Sequence, residues 1–321
     1  MVSKAVKRID CPQRFILTGT PIENRLSELW NLFDFLMPGY LFSHSAFVQK
    51  LEKPAIKSGS EEAMTKLQRM VQPFLLRRVK KEVLKELPPK IEYVRRISLS
   101  EDERKVYFAA SAAAKNSLTA GDNGKMAVFA ALTELRQICC APGLRFENYA
   151  GPSSKLDACI ELCAGMAENG HQILLFSQFT SMLDLIRARL DELGITHFTL
   201  QGSTPKEKRA QLVKAFNAGE ASVFLISLKA GGTGLNLTAA DTVILYDPWW
   251  NPAAQDQAVD RAHRIGQRSS VQVYKLIAKD TIEEKILKLQ SQKAALLDAV
   301  TASGESSILD MSKEELLALF E

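Results

Sequence analysis

The 321-residue sequence is short of most features that would classify it at a glance. It has only five cysteines, Cys11, Cys139, Cys140, Cys159 and Cys163, an odd number without paired spacing. That excludes a disulfide scaffold and suits the reduced thiols of a cytosolic protein. Cys159 and Cys163 lie four apart on a predicted helix, with no histidine or further cysteine at zinc spacing, so they read as small buried residues. No apolar run approaches the ~20 residues that span a bilayer. The longest uncharged stretches, such as Phe35 to Gln49, are broken by Pro38, Gly39 and Ser43. The first residues carry charges but no apolar block follows them, so a secretory signal is not expected there. Net charge is only +4, so any basic surface has to be local. With 17 glycines, 12 prolines and no internal repeats, collagen-like and mucin-like chains are excluded as well.

What is present is an average soluble composition, 46% hydrophobic and 24% charged, in a chain long enough for two units. Arg14–Thr18 is a short apolar, strand-like run without upstream partners, and a parallel sheet cannot begin with one orphan strand. We therefore expect residues 1–75 to be the end of a truncated domain. Within it, 24–37 forms an amphipathic helix striped by Leu26, Leu29, Trp30, Phe33 and Leu36, and 61–76 forms another. A basic cluster, Arg77-Arg78-Val-Lys80-Lys81-Glu-Val-Leu-Lys85, precedes Pro88-Pro89 and reads as a linker over 76–95. Residues 96–150 read as a helical insert, opened by a capping box at Ser100 and Glu103 and split at Gly121-Asp-Asn-Gly124.

From 151 to 300 the pattern alternates. Helix 154–169, strand 172–176, helix 181–193, strand 196–200, helix 205–218, strand 222–226, strand 242–246, helix 253–264, strand 271–277 and helix 281–298 follow one another. Further capping boxes are expected at Thr204/Glu207 and Asp280/Glu283. Short continuous apolar strands separated by helices imply an α/β fold with a doubly wound parallel sheet covered on both faces. Residues 301–321 read as a helical tail behind Gly304.

Ligands of such sheets sit outside the carboxyl ends of the strands, and three segments fall there. Ser227-Leu-Lys-Ala-Gly-Gly-Thr-Gly-Leu-Asn236 can bring backbone close to an anion, with Lys229 and Thr233 as phosphate donors; a plain tight turn is equally compatible. Asp247-Pro-Trp-Trp-Asn-Pro252 must be a loop, with Trp249 read as plugging the core; an exposed tryptophan there would suit stacking on or wedging beside a nucleotide. In Gln257-Ala-Val-Asp-Arg-Ala-His-Arg264, on the expected helix, Gln257, Arg261 and Arg264 lie at i, i+4 and i+7 and so share one face, projecting the two arginines together near the sheet edge, where guanidinium groups suit the charge of a transferring γ-phosphoryl. From spacing alone, solvated arginines paired with Asp256 and Asp260 are the simpler reading. His263 reads as structural. No candidate metal ligands stand at useful spacing. The pattern Gly-x-x-x-x-Gly-Lys-Ser/Thr is absent, since Gly124-Lys125 is followed by Met126 and no predicted strand precedes it. No predicted strand ends in a paired Asp-Glu.

With these residues in view, the sequence resembles the Swi/Snf family of helicase-like DNA translocases, in helicase superfamily two. Asp260-Arg-Ala-His-Arg-Ile-Gly-Gln267 resembles motif VI. Leu17-Thr-Gly-Thr-Pro-Ile-Glu-Asn24 resembles motif III, Ile173–Thr180 motif IV, and Ser227–Leu237 motif V. Asp247–Pro252 is similar to the stretch between V and VI, and Phe74–Pro88 to the inter-lobe linker. The resemblance covers about 10–298. It implies the end of a first RecA-like lobe, a linker, a helical protrusion and a full second lobe of an ATP-dependent motor that steps along double-stranded DNA. It further implies arginine fingers at Arg261 and Arg264 with Gln257 setting them. Nucleotide contacts are implied at Gly234, Asn236, Thr18 and Gly19, and DNA contacts at Lys229, Thr233, Trp250, Ser177 and Gln178. ATP with Mg2+ would be held mainly by the missing part of lobe one, so this chain alone would not turn over ATP. A non-catalytic DNA-binding or protein-interaction module is the competing expectation. A protein bound on DNA is a possible further substrate. A prokaryotic cytoplasm, or a nucleus in a eukaryote, is the expected location, with no membrane partner.

Overall fold

The structure, a computed structural model, describes residues 2–300 apart from 10, 20–25, 58–59, 77, 79, 121–123 and 232–233. Among the described residues the chain divides into two compact units, one of 2–80 with 289–300 and one of 81–288, the first break falling inside the basic stretch.

In the first unit, helix α1 (Leu26–Leu36) buries Leu26, Leu29 and Phe33 with Leu41, Phe47, Leu51, Leu67 and Val71. Helix α2 (Glu61–Val71) is capped by Ser60, whose hydroxyl accepts from Ala63 N. Glu52 accepts from Ser27 N (3.1 Å) and Ser27 Oγ (2.7 Å) and so satisfies one N–H of the first turn of α1. The strand expected at 14–18 does not form. That segment is irregular, with Leu17 99% exposed, because no neighbouring strand offers it a ladder.

The second unit is a six-stranded, wholly parallel sheet in the order β1-β6-β5-β2-β4-β3. The strands are β1 (Lys90–Ile97), β2 (Ile173–Ser177), β3 (His197–Leu200), β4 (Val223–Ser227), β5 (Thr242–Leu245) and β6 (Val271–Ala278). Central strands β2, β4 and β5 are buried along their whole length, as the unbroken apolar runs require. Apolar cores lie on both faces of the sheet. The second half of the stretch expected as linker is a strand. Lys90–Ile97 pairs along its full length with β6, and Glu92 on it bridges Lys90 (2.5 Å) and Lys275 (2.7 Å).

Two long helices, α3 (Glu101–Ala120) and α4 (Lys125–Cys140), are inserted between β1 and β2. The capping box at the start of α3 forms: Ser100 N donates to Glu103 Oε2 (2.8 Å) and Glu103 N to Ser100 Oγ (3.3 Å). Glu103 also accepts from Ser154 N and Ser154 Oγ, which fastens α3 to the first turn of α5 (Ser154–Glu168). Helices α6 (Thr180–Glu192) and α7 (Lys206–Asn217) connect β2 to β3 and β3 to β4, α8 (Pro252–Val259) follows β5, and α9 (Ile282–Val300) follows β6.

Two expected capping boxes are replaced. Thr204 Oγ1 accepts from Gln201 N instead of capping α7, and the Thr204 carbonyl accepts from Arg209. At α9 the box is shifted by one residue. Thr281 Oγ1 accepts from Glu283 N, and Glu284 accepts from Asp280 N. The shift frees Glu283 to turn inward, where both its oxygens lie 2.6 Å from Lys155 Nζ and one accepts from Ala278 N. Both side chains of this pair are fully buried. Burial alone would lower the Lys155 pKa; the Glu283 charge beside it reverses this and holds it above the ordinary lysine value.

Candidate nucleotide and nucleic-acid site

Three neighbouring strands, in the order β5-β2-β4, release the candidate segments from one edge of the sheet. Because all strands are parallel, their carboxyl ends open on the same side.

After β4 the chain forms one short turn of helix, Leu228–Gly231, with Lys229 exposed. Gly234 has φ +44°, a left-handed conformation that suits glycine, with nothing near the position of a side chain. Asn236 is exposed, and its carbonyl accepts from Asn217 Nδ2 (2.8 Å). Thr233 lies outside the described residues.

The arginine segment departs from expectation. Helix α8 ends at Val259, not 264, so Gln257 is on the helix while Arg261 and Arg264 follow it on tight turns. Asp260, Ala262 and Arg264 donate backbone N–H groups to Asp256, Val259 and Ala262. Gly266, at φ +102°, then redirects the chain. The segment is held by its neighbours, not by helix continuation. Leu237 N donates to the Arg261 carbonyl (3.0 Å), and Arg264 Nη1 donates to the Leu235 carbonyl (3.0 Å). Gln267 is buried. It donates to the carbonyls of Ala240 and Ala262 and accepts from Arg268 N and Ser269 N. His263 Nε2 meets the Pro88 carbonyl at 2.7 Å, the structural role expected of it. Both arginines are half-buried and electrostatically coupled: burial, then the charge of Arg264, lowers the Arg261 pKa. Two such cations beside an open glycine turn present a place for a polyanion.

The loop after β5 is built around Asp247, which is 1% exposed. Its Oδ1 accepts from Ser177 Oγ (2.5 Å) and Gln178 N (3.2 Å), and Ser177 Oγ also accepts from Phe179 N. Burial pushes the Asp247 pKa up against the opposing charge of Arg136. Ser177 is wholly buried, so its hydroxyl works inside the fold and the expected surface contact to DNA gives way to a supporting role. Gln178 and Trp250 are half-buried, and Trp249 packs on the core as expected. Arg136, from α4, reaches under this loop; sequence reasoning passed over it, as it did Asp247 and Gln267. No motif spacing connects positions 136 and 247. The only signal was an arginine on the apolar side of a helix ending in two cysteines. Thr18 and Gly19 lie in the first unit and are exposed.

Among the described residues, no group of three or more His, Cys, Asp and Glu is placed to hold a metal ion. No helix there is long and apolar enough to cross a membrane.

A glycine turn, an arginine pair and a tryptophan loop lie at the carboxyl edge of the parallel sheet, where doubly wound α/β proteins place their ligands. Comparison with known proteins narrows this. The SNF2-related domain matches residues 1–144 and the helicase conserved C-terminal domain matches 154–266. The Sulfolobus solfataricus SWI2/SNF2 ATPase core, solved in complex with double-stranded DNA, is 35% identical with a TM-score of 0.61. The match covers all of this chain and 69% of that one. The chain belongs to the SWI2/SNF2 family. An "uncharacterized ATP-dependent helicase" of Mycoplasma genitalium is 39% identical over 322 residues, covering 100% of this chain and 31% of the relative. The mouse SWI/SNF-related regulator of chromatin subfamily A member 1 is 36% identical over 335 residues, 99% of this chain and 32% of its own. The chain thus spans about a third of the length of these relatives.

Proposed function

We propose that the chain is the C-terminal half of an ATP-dependent motor that translocates on double-stranded DNA, in which Arg261 and Arg264 act as arginine fingers. The observation that carries this is the pair of bonds joining the arginine segment to the glycine segment, Leu237 N to the Arg261 carbonyl and Arg264 Nη1 to the Leu235 carbonyl. They tie the Arg261 backbone and the Arg264 guanidinium to the segment that follows Gly234, and the Arg264 charge lowers the Arg261 pKa, a repulsion that a triphosphate would relieve. ATP supplies the phosphoryl group whose transfer drives the motor. The residues of this chain contribute positive charge and its placement, with Gln257 on α8 setting the segment that follows. Lys229, Thr233, Gln178 and Trp250 are proposed to meet the DNA backbone at the same edge, and Thr18 and Gly19 to couple nucleotide and DNA from the first unit. The nucleotide and its magnesium are proposed to be held mainly by a first lobe bearing the phosphate loop and Asp-Glu box, motifs this sequence does not contain.

Two experiments test the proposal. In a motor that includes the first lobe, Arg261→Ala or Arg264→Ala lowers kcat by about 10³ while duplex affinity is kept; wild-type turnover in both variants defeats the finger assignment. The 321-residue chain alone hydrolyses ATP at background rate, and DNA-stimulated hydrolysis by it overturns that part. A salt titration against duplex DNA separates the motor half from a protein-interaction module. Each phosphate contact adds about 0.9 to the slope of log K against log salt, and no binding at low salt leaves only the interaction role.

A further inference from the structure

One guanidinium in the second unit is placed more elaborately than packing needs. Arg136 lies near the end of α4, is 2% exposed, and points beneath the loop Asp247–Asn251. Its Nη2 donates to the Pro248 carbonyl at 2.5 Å and stands 3.6 Å from Asp247 Oδ2. Its planar head lies 5.3 Å from the ring centre of Trp250, 5.9 Å from Trp249 and 5.6 Å from Phe179. From the opposite side Ser177, at the end of β2, holds Asp247 Oδ1. Asp247 Oδ2 has no hydrogen-bond partner, and neither has Arg136 Nε, and the Arg136 charge is foremost among the groups that offset the burial of Asp247. The loop is thus gripped between the sheet and the inserted helix pair, and both its tryptophans rest on one cation.

We propose that Arg136 is a positioning residue that sets the loop Asp247–Asn251 and, through Trp250, the DNA affinity of this unit. The second clause rests on the DNA reading given above; the first stands on geometry alone. A guanidinium suits this place because its planar, charged head lies against aromatic rings while Nη2 alone reaches both the carbonyl and the carboxylate. Lysine at 136 keeps a charge near Asp247 but gives up the planar head that lies against the rings.

The test uses the full 321-residue chain with Trp30→Phe, which leaves Trp249 and Trp250 as the only tryptophans. Under native conditions, with helicity checked by circular dichroism, Arg136→Gln at least doubles the acrylamide quenching constant of the tryptophan emission, and Arg136→Lys gives an intermediate value. A purely structural role moves the unfolding midpoint but not native-state quenching. Quenching unchanged from the parent overturns the positioning role. If the glutamine variant does not fold, the lysine variant decides by the same measurement. For the DNA half, affinity for a 30-base-pair duplex at low salt is measured by anisotropy. Arg136→Gln and Trp250→Ala each weaken binding about tenfold, and the double variant binds no more weakly than Trp250→Ala alone. Losses that multiply overturn action through Trp250. Unchanged affinity in Trp250→Ala overturns the DNA reading of the loop, while the quenching result still judges the grip on it.

Discussion

Replacing Lys155 with methionine provides the sharpest test of how the second unit is held together. The substitution keeps most of the side-chain volume over the Tyr246 ring, which the lysine ammonium faces at 5.1 Å. It removes the cation that, among the described residues, pairs with the Glu283 carboxylate, 2.6 Å from both its oxygens in a fully buried site. The Ala278 N–H bond to Glu283 remains and cannot neutralise a full charge. Breaking one side of such a pair costs about 3–5 kcal/mol. The stranded carboxylate escapes by taking up a proton, since burial raises its pKa. Its folded pKa then lies above its unfolded value, so the variant loses more stability as pH rises. The deficit is smaller near pH 5 than at pH 8. Adding Glu283→Gln removes the orphaned charge and leaves an oxygen for Ala278 N, so the double variant is more stable than the sum of the two single losses predicts. Urea unfolding monitored by circular dichroism, at both pH values, measures all four members of the cycle. A loss below about 1 kcal/mol for Lys155→Met, a deficit independent of pH, or additive single losses would refute the reasoning.

Other outcomes follow from the same geometry. Glu92 is held down to about 2 by Lys275 and Lys90 against the cost of its burial. Its contribution is complete above the usual carboxylate value of 4.5 and is lost as pH falls towards about 2, so Glu92→Gln flattens acid unfolding in that window. Gly266→Ala must hold φ near +102°, and thermal unfolding should show a loss of about 1–3 kcal/mol, while a neutral result would place the turn elsewhere. Ser100→Ala removes the hydroxyl that accepts from Glu103 N at the head of α3; about 1 kcal/mol is expected by urea titration, and no change would discount the box.

The sheet was legible because its strands are buried on both faces. Runs such as Ile173-Leu-Leu-Phe and Val223-Phe-Leu-Ile have few other uses, and their limits fall within a residue of those expected. Edge strand β1 escaped notice for the opposite reason. Lys90-Ile-Glu-Tyr-Val-Arg-Arg is mostly exposed, and its charges and neighbouring prolines resemble a linker. The arginine segment was misjudged because local spacing favours helix, whereas long-range bonds from Leu237 and to Leu235 hold it in turns. The same lesson applies to the caps. Thr281 competed with Asp280 one position away, and the winner was set by a lysine 128 positions earlier in the chain that claims Glu283. Arg136 and Asp247 are paired only by the fold, so no reading of neighbours could join them.

The parentage of β1 has a practical side. This strand precedes the inserted helices yet completes the sheet after them, so the Gly- and Pro-rich stretch near 151 is a seam in composition and not in architecture. Expressing the chain from that point would strip the neighbour from β6 and leave the N–H and C=O groups on its β1-facing side unpaired. Such a bare border recruits other chains. A soluble C-terminal piece has to start before Lys90, and one begun at 151 should pellet.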